Sequence, residues 1–204
     1  MRQYLEKSMT YAEYLKLIDD LLAEGKTTGP NQSETMLGYA RLNRQRMSRL
    51  NKTVSINEEL RKKMRNNQRK MIWLTLTEGW CGDAAQNIPV IEKIAAESPF
   101  IETRYVLRDE NPELMDKYLT LNARSIPKLI ALDARNLEEI GTWGPRPQAA
   151  MNYFLEMRRS GMEKAQMMEN LQKWYNADKN RALQDEFLWL IDDWSAKKDV
   201  AAKP

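Results

Sequence analysis

The stretch Met71-Ile72-Trp73-Leu74-Thr75-Leu76-Thr77-Glu78-Gly79-Trp80-Cys81-Gly82-Asp83-Ala84 joins an apolar run to a segment with helical periodicity, Asn87 to Ala96, and holds the only cysteine of the 204-residue chain. Ile72, Leu74 and Leu76 alternate with Trp73, Thr75 and Thr77, a pattern rich in strand formers that predicts a buried strand. Cys81 then stands where the backbone turns from strand to helix. A thiol in the first turn of a helix meets unpaired backbone N–H groups and the positive end of the helix dipole, which lower its pKa below the free value of about 8.5. This position predicts a reactive, partly exposed thiol; the alternative is a small buried hydrophobe, the common state of free cysteine. Asp83 opposes activation, because a carboxylate two residues away disfavours the thiolate, although it also suits the first turn of a helix. Methionine supplies all the other sulfur, so a cycle ending in an internal disulfide is closed.

Working outward, Pro89 lies inside the helical segment, Ser125-Ile126-Pro127 precedes a second apolar run from Lys128 to Leu132, and Gly141 stands ahead of a further helix. In this order and spacing the motifs resemble the thioredoxin family over roughly residues 67 to 160. The resemblance implies an α/β fold with a central sheet of mixed direction and helices on both faces. It also implies a cis peptide before Pro127 and a loop, carrying Ile126 and Pro127, that lies beside Cys81 and contacts an extended substrate backbone. Trp80, Gly82 and Asp83 complete the implied substrate-binding set, with Trp80 shielding one side of the sulfur. Two departures from the family affect one step. Ala84 stands where the family carries its resolving cysteine, and Thr75 where thioredoxins carry a buried acid that handles the proton of that cysteine. Arg124, just upstream of Ser125, is a candidate to bring a guanidinium towards Cys81 and favour its thiolate; a solvated loop arginine is the alternative.

Three regions are expected: an N-terminal helical extension over 1–66, a thioredoxin-like core over 67–160, and a C-terminal helical extension and tail over 161–204. In the first, Tyr11, Tyr14, Leu15, Ile18, Leu21 and Leu22 mark an amphipathic helix that ends at Gly25 and the turn Thr27-Thr28-Gly29-Pro30. A second helix runs from Asn31 or Ser33 to about Leu50, and a third starts at Ser55, with Glu58 as the far member of a capping box. In the core, a strand is expected from Phe100 to Leu107 and a short helix from Asn111-Pro112 through Tyr118. A hairpin is expected from Lys128–Leu132 to Leu137–Thr142 across Asp133 to Asn136. Beyond Gly161, Met168, Leu171, Trp174 and Tyr175 form one stripe, and Leu183, Phe187, Leu190, Ile191 and Trp194 another. The tail from Ser195 to Pro204 is expected to fray.

Composition narrows the function classes. Charged residues make up 30% and no apolar run approaches the roughly 18 residues of a membrane-spanning helix, so no membrane partner is expected. The start, Met1 to Lys16, has no apolar h-region, which together with a single cysteine places the chain in the cytoplasm. Without histidine, metal ligation and His-based acid/base chemistry are disfavoured. The segment Arg41 to Lys70 holds eleven Lys or Arg against two acids while the whole chain is only +3. Such asymmetry hints at an acidic partner or nucleic acid. Nucleic acid is the weaker reading, because basic residues spread round two helices usually pair with acidic surface elsewhere, such as Asp185, Glu186, Asp192 and Asp193.

The leading expectation is a monothiol thiol-disulfide oxidoreductase. Cys81 would form a mixed disulfide with a protein disulfide or a thiol-capped protein, and an external low-molecular-weight thiol would resolve it, with no cofactor. The rival is a non-catalytic thioredoxin-fold binding module, with a protein partner on the helical extensions. A dimer linked through Cys81 is disfavoured by a reducing compartment.

Overall fold

The computed structural model describes residues 1–196. The N-terminal region forms α1 (Arg2–Leu5), α2 (Tyr11–Ala23), α3 (Glu34–Thr53) and α4 (Glu58–Asn66). The sheet region follows as β1 (Met71–Thr77), α5 (Gly82–Ala95), β2 (Ile101–Leu107), α6 (Pro112–Met115), β3 (Lys128–Asp133), β4 (Glu139–Trp143) and α7 (Gln148–Arg159). Two further helices, α8 (Lys164–Asp178) and α9 (Arg181–Ala196), close the described chain, and none of its helices is long and apolar enough to cross a membrane.

The four strands lie in the order β2-β1-β3-β4, with β1 parallel to β2 and antiparallel to β3, and β3 antiparallel to β4. The sheet is therefore of mixed direction, and the fold is thioredoxin-like α/β with extra helices at both ends. Because side chains alternate across a strand, the central strands feed two cores. Met71, Trp73, Leu129 and Ala131 join α4, the second half of α5 and the α9 residues Leu183, Phe187, Leu190, Ile191 and Trp194. Leu74, Leu76, Ile130 and Leu132 join Tyr14 and Ile18 of α2, Met47 of α3, the first half of α5, and Cys81. A third, smaller cluster holds α7 to α8 through Ala150, Met157, Met167, Leu171 and Tyr175.

Several boundaries differ from the sequence expectation. The cap of α4 is Asn57, whose side chain accepts from the Leu60 N–H at 2.8 Å. Gln184 of α9 takes the Ser55 carbonyl and the Asn57 N–H, so the backbone is held extended through Ser55 and no capping box forms there. The short helix α6 ends at Met115, after which Lys117 and Tyr118 make tighter i−3 backbone bonds. Leu137 adopts a left-handed φ of 62° in the hairpin turn, so β4 starts at Glu139. On α8 the buried stripe is Met167, Leu171 and Tyr175, each four residues apart, which leaves Met168 exposed. The expected frayed tail begins inside α9, which continues through Ala196; the remainder of it lies outside the described residues.

Candidate functional site

The site is built where β1 ends and α5 begins. Gly79 is fixed from two N-terminal elements: its N–H donates to Thr28 Oγ1 at 2.9 Å and its carbonyl accepts from Asn43 Nδ2 of α3 at 3.2 Å. Cys81 is the cap residue of α5, with extended backbone (φ −81°, ψ 116°), and its Sγ accepts from the Ala84 N–H at 3.4 Å. On its other side Sγ donates to the Ile126 carbonyl at 3.2 Å. The Ile126–Pro127 peptide is cis, as is Gly144–Pro145. Gly144 holds φ 110°, and a Cβ there would stand 2.2 Å from the Pro127 carbonyl oxygen, so only glycine lets the two loops meet.

The thiol is 8% exposed, at the buried end of the expectation and not the partly exposed one. Its pKa is pushed up to about 12, first by burial and second by the Asp83 carboxylate. The N–H groups of Ala84 and Asp83 and the Arg146 guanidinium oppose that shift without overcoming it. The activating effect of the helix N-terminus is therefore present and outweighed.

Arg124 does not serve Cys81. Its guanidinium makes two bonds of 2.6 and 2.7 Å to the Asp116 carboxylate at the surface. The arginine near the thiol is Arg146, from the turn before α7, which forms an ion pair with Asp83 and lies 4.4 Å over the Phe154 ring. Tyr175 Oη of α8 donates to Asp83 Oδ1 at 2.8 Å, and Asn87 Nδ2 donates to Tyr175 Oη at 3.1 Å. Asp83, Arg146, Tyr175 and Asn87 thus form one nearly enclosed network that ties α8 to the first turn of α5. Trp80 is half-buried, with the Arg108 guanidinium 4.7 Å from its ring centre. Gly82 is exposed, and a Cβ there would meet only Arg46 Nη1 at 3.9 Å.

The structure thus brings Trp80, Cys81, Gly82, Asp83, Ile126 and Pro127 together and leaves Arg124 outside. It adds Arg146, Tyr175, Asn87 and Asn43, which nothing in the local motif marks. Comparison with family models gives a match to the thioredoxin model over residues 29–166. The chain belongs to the thioredoxin family. Among solved structures, this thioredoxin-family protein is similar to a protein of unknown function, PA1234, from Pseudomonas aeruginosa. The two share 18% identity and a TM-score of 0.55, over 90% of this chain and 98% of that one. It is also similar to an HIV epitope scaffold, at 19% identity and a TM-score of 0.53, over the same shares of the two chains. At these identities the likeness is one of fold. No curated protein matches the chain.

Proposed function

We propose that this thioredoxin-family protein is a binding module that keeps the cis-proline loop beside a neutral thiol and does not turn over disulfides. One observation carries the reading: Sγ of Cys81 donates to the Ile126 carbonyl from a buried position. Donation requires the proton. A thiolate there would face carbonyl lone pairs in place of a bond partner, in surroundings that burial and Asp83 already make hostile to negative charge. At neutral pH the nucleophilic form is then scarce. The partner is a polypeptide meeting the edge of this loop, where Leu119 and Leu121 are 41% and 70% exposed just before Arg124.

A second reading is favoured by the Ala84 N–H directed at Sγ, the arrangement that would stabilise a thiolate once the site opens. In that monothiol cycle the Cys81 thiolate attacks one sulfur of a protein disulfide or thiol-capped protein. That S–S bond breaks, and the departing thiolate takes a proton. On a thiol-capped protein Cys81 takes the capping sulfur, and one external low-molecular-weight thiol attacks that sulfur, frees Cys81 and leaves as a disulfide. On a protein disulfide one external thiol releases the substrate thiol and caps Cys81, and a second frees Cys81, so the two electrons come from two thiols oxidised to one disulfide.

Disulfide reduction assayed with excess glutathione, with and without the protein, separates the two. The binding module adds nothing to the rate of the thiol alone, and its cysteine is alkylated far more slowly folded than denatured. Acceleration that disappears in Cys81→Ser would overturn it in favour of the monothiol cycle.

A further inference from the structure

Five of the eleven basic residues from Arg41 to Lys70 are paired with acids brought from elsewhere. Arg44 pairs with Asp19, Arg61 and Arg65 with Glu97, Lys63 with Asp192, and Arg69 with Asp133. Arg46 and Arg49 of α3 are among those that make no ion pair with a described residue. Arg46 is half-buried, and its Nη1 donates to Asn43 Oδ1 at 3.0 Å, an uncharged partner. Burial and the charge of Arg49 both push its pKa below the usual arginine value. A desolvated guanidinium set against a second one is an electrostatic cost that a bound anion would offset.

A cleft of ≈ 350 Å³ opens beside Arg49, between the C-terminal end of α3, α5 and the end of α8. Arg49 and Lys179 line it with Gln86, Tyr175 and the apolar Leu50, and its lining contains no carboxylate. Arg46 lies one turn before Arg49 on α3 and next to Gly82, as Gln86 lies one turn beyond Gly82 on α5. Lys179 and Asn180 hold left-handed φ values of 53° and 63°, an uncommon pair of conformations for residues other than glycine. The adjacent Asp178 lies outside the lining, and both its oxygens accept from the Ala182 N–H at 3.2 Å.

We propose that this cleft binds an oxyanion, the phosphate or carboxylate group of a small ligand, between Arg49 and Lys179, with Arg46 adding positive charge from outside the lining. Guanidinium groups match such anions with paired N–H donors, and lysine adds a compact charge. The volume lies near the lower end for small-molecule sites, which suits a compact anion. The site is independent of the protonation of Cys81 and stands whether or not the binding-module reading does.

Calorimetric titration of the full chain with pyrophosphate, and separately with citrate, at fixed ionic strength tests this. Saturable one-site binding of at least one anion is expected. It should weaken about tenfold or more when the two lining cations are changed together, Arg49→Gln with Lys179→Gln. Arg41→Gln, an exposed α3 position outside the cleft lining, should leave it within about twofold. Binding of pyrophosphate alone assigns a phosphate ligand, and of citrate alone a carboxylate. No saturable binding of either, binding unmoved by the double substitution, or equal weakening by Arg41→Gln would each overturn the proposal.

Discussion

Ionising Cys81 would break its bond to the Ile126 carbonyl and place a negative charge beside Asp83, so the thiol and the Asp83–Arg146 pair are energetically linked. Replacing Asp83 by Asn removes the negative member and leaves the guanidinium, and both changes favour the thiolate. The Cys81 pKa should fall by about one unit or more, read from the pH dependence of alkylation; an unchanged value would show that burial alone sets it. The same group gives stability a pH dependence. Its folded pKa is near 12, above the roughly 8.5 of a free cysteine, so its contribution is full below about pH 8.5 and is lost as pH rises towards 12. Between pH 8 and 10 the wild-type denaturation midpoint should therefore drop more than that of Cys81→Ser. The position of Cys81 was legible from the residues before and after it. Its protonation state was not, because Arg146 and Tyr175 lie 63 and 92 residues from Asp83 and no local pattern announces them. Arg124 drew attention through proximity in sequence to the proline loop, yet Asp116 lies eight residues before it and offers a nearer partner at the surface.

Strands and helices with a clear hydrophobic period were readable because their burial follows from the local pattern, as in β1 and α2. Caps and ends were less so. Ser55 and Asn57 are both good cap residues, and the choice between them is made by Gln184 from the far end of the chain. Met167 rather than Met168 is buried because α8 packs its apolar side on α7 and reaches α5 through Gln172 and Tyr175, so its apolar stripe is narrow. Gly141 shows how such long-range packing fixes a residue type. A Cβ there would stand 2.3 Å from Trp194 Nε1, which places the α9 indole directly on β4. Gly141→Ala should cost about 1–3 kcal/mol by overpacking, measured by urea denaturation. A neutral result would mean that Trp194 can swing aside without loss.

At the scale of the whole molecule, the helices outside the resembling region are not appendages. Phe187 and Trp194 of α9 pack edge-on against Trp73 of the central strand, with ring centres 5.4 and 5.9 Å apart. A chain ending at Asn180 would lose five α9 side chains from the larger core, each worth about 1.5–3 kcal/mol when fully buried. That sum, about 7.5–15 kcal/mol, is comparable with the whole stability of an ordinary domain. Such a truncation should show no cooperative thermal transition by circular dichroism; a surviving sharp transition would make the extension separable. The sequence showed these helices as amphipathic but could not show that their apolar faces belong to the same core as β1. Order of synthesis gives that arrangement a further meaning. The indole that covers β1 is synthesised after every strand of the sheet, and at about 5–20 residues per second those strands are made well before their cover. Until α9 has emerged, one face of the nascent sheet stays open to water, so the fold cannot close strand by strand and that face needs protection in the interval.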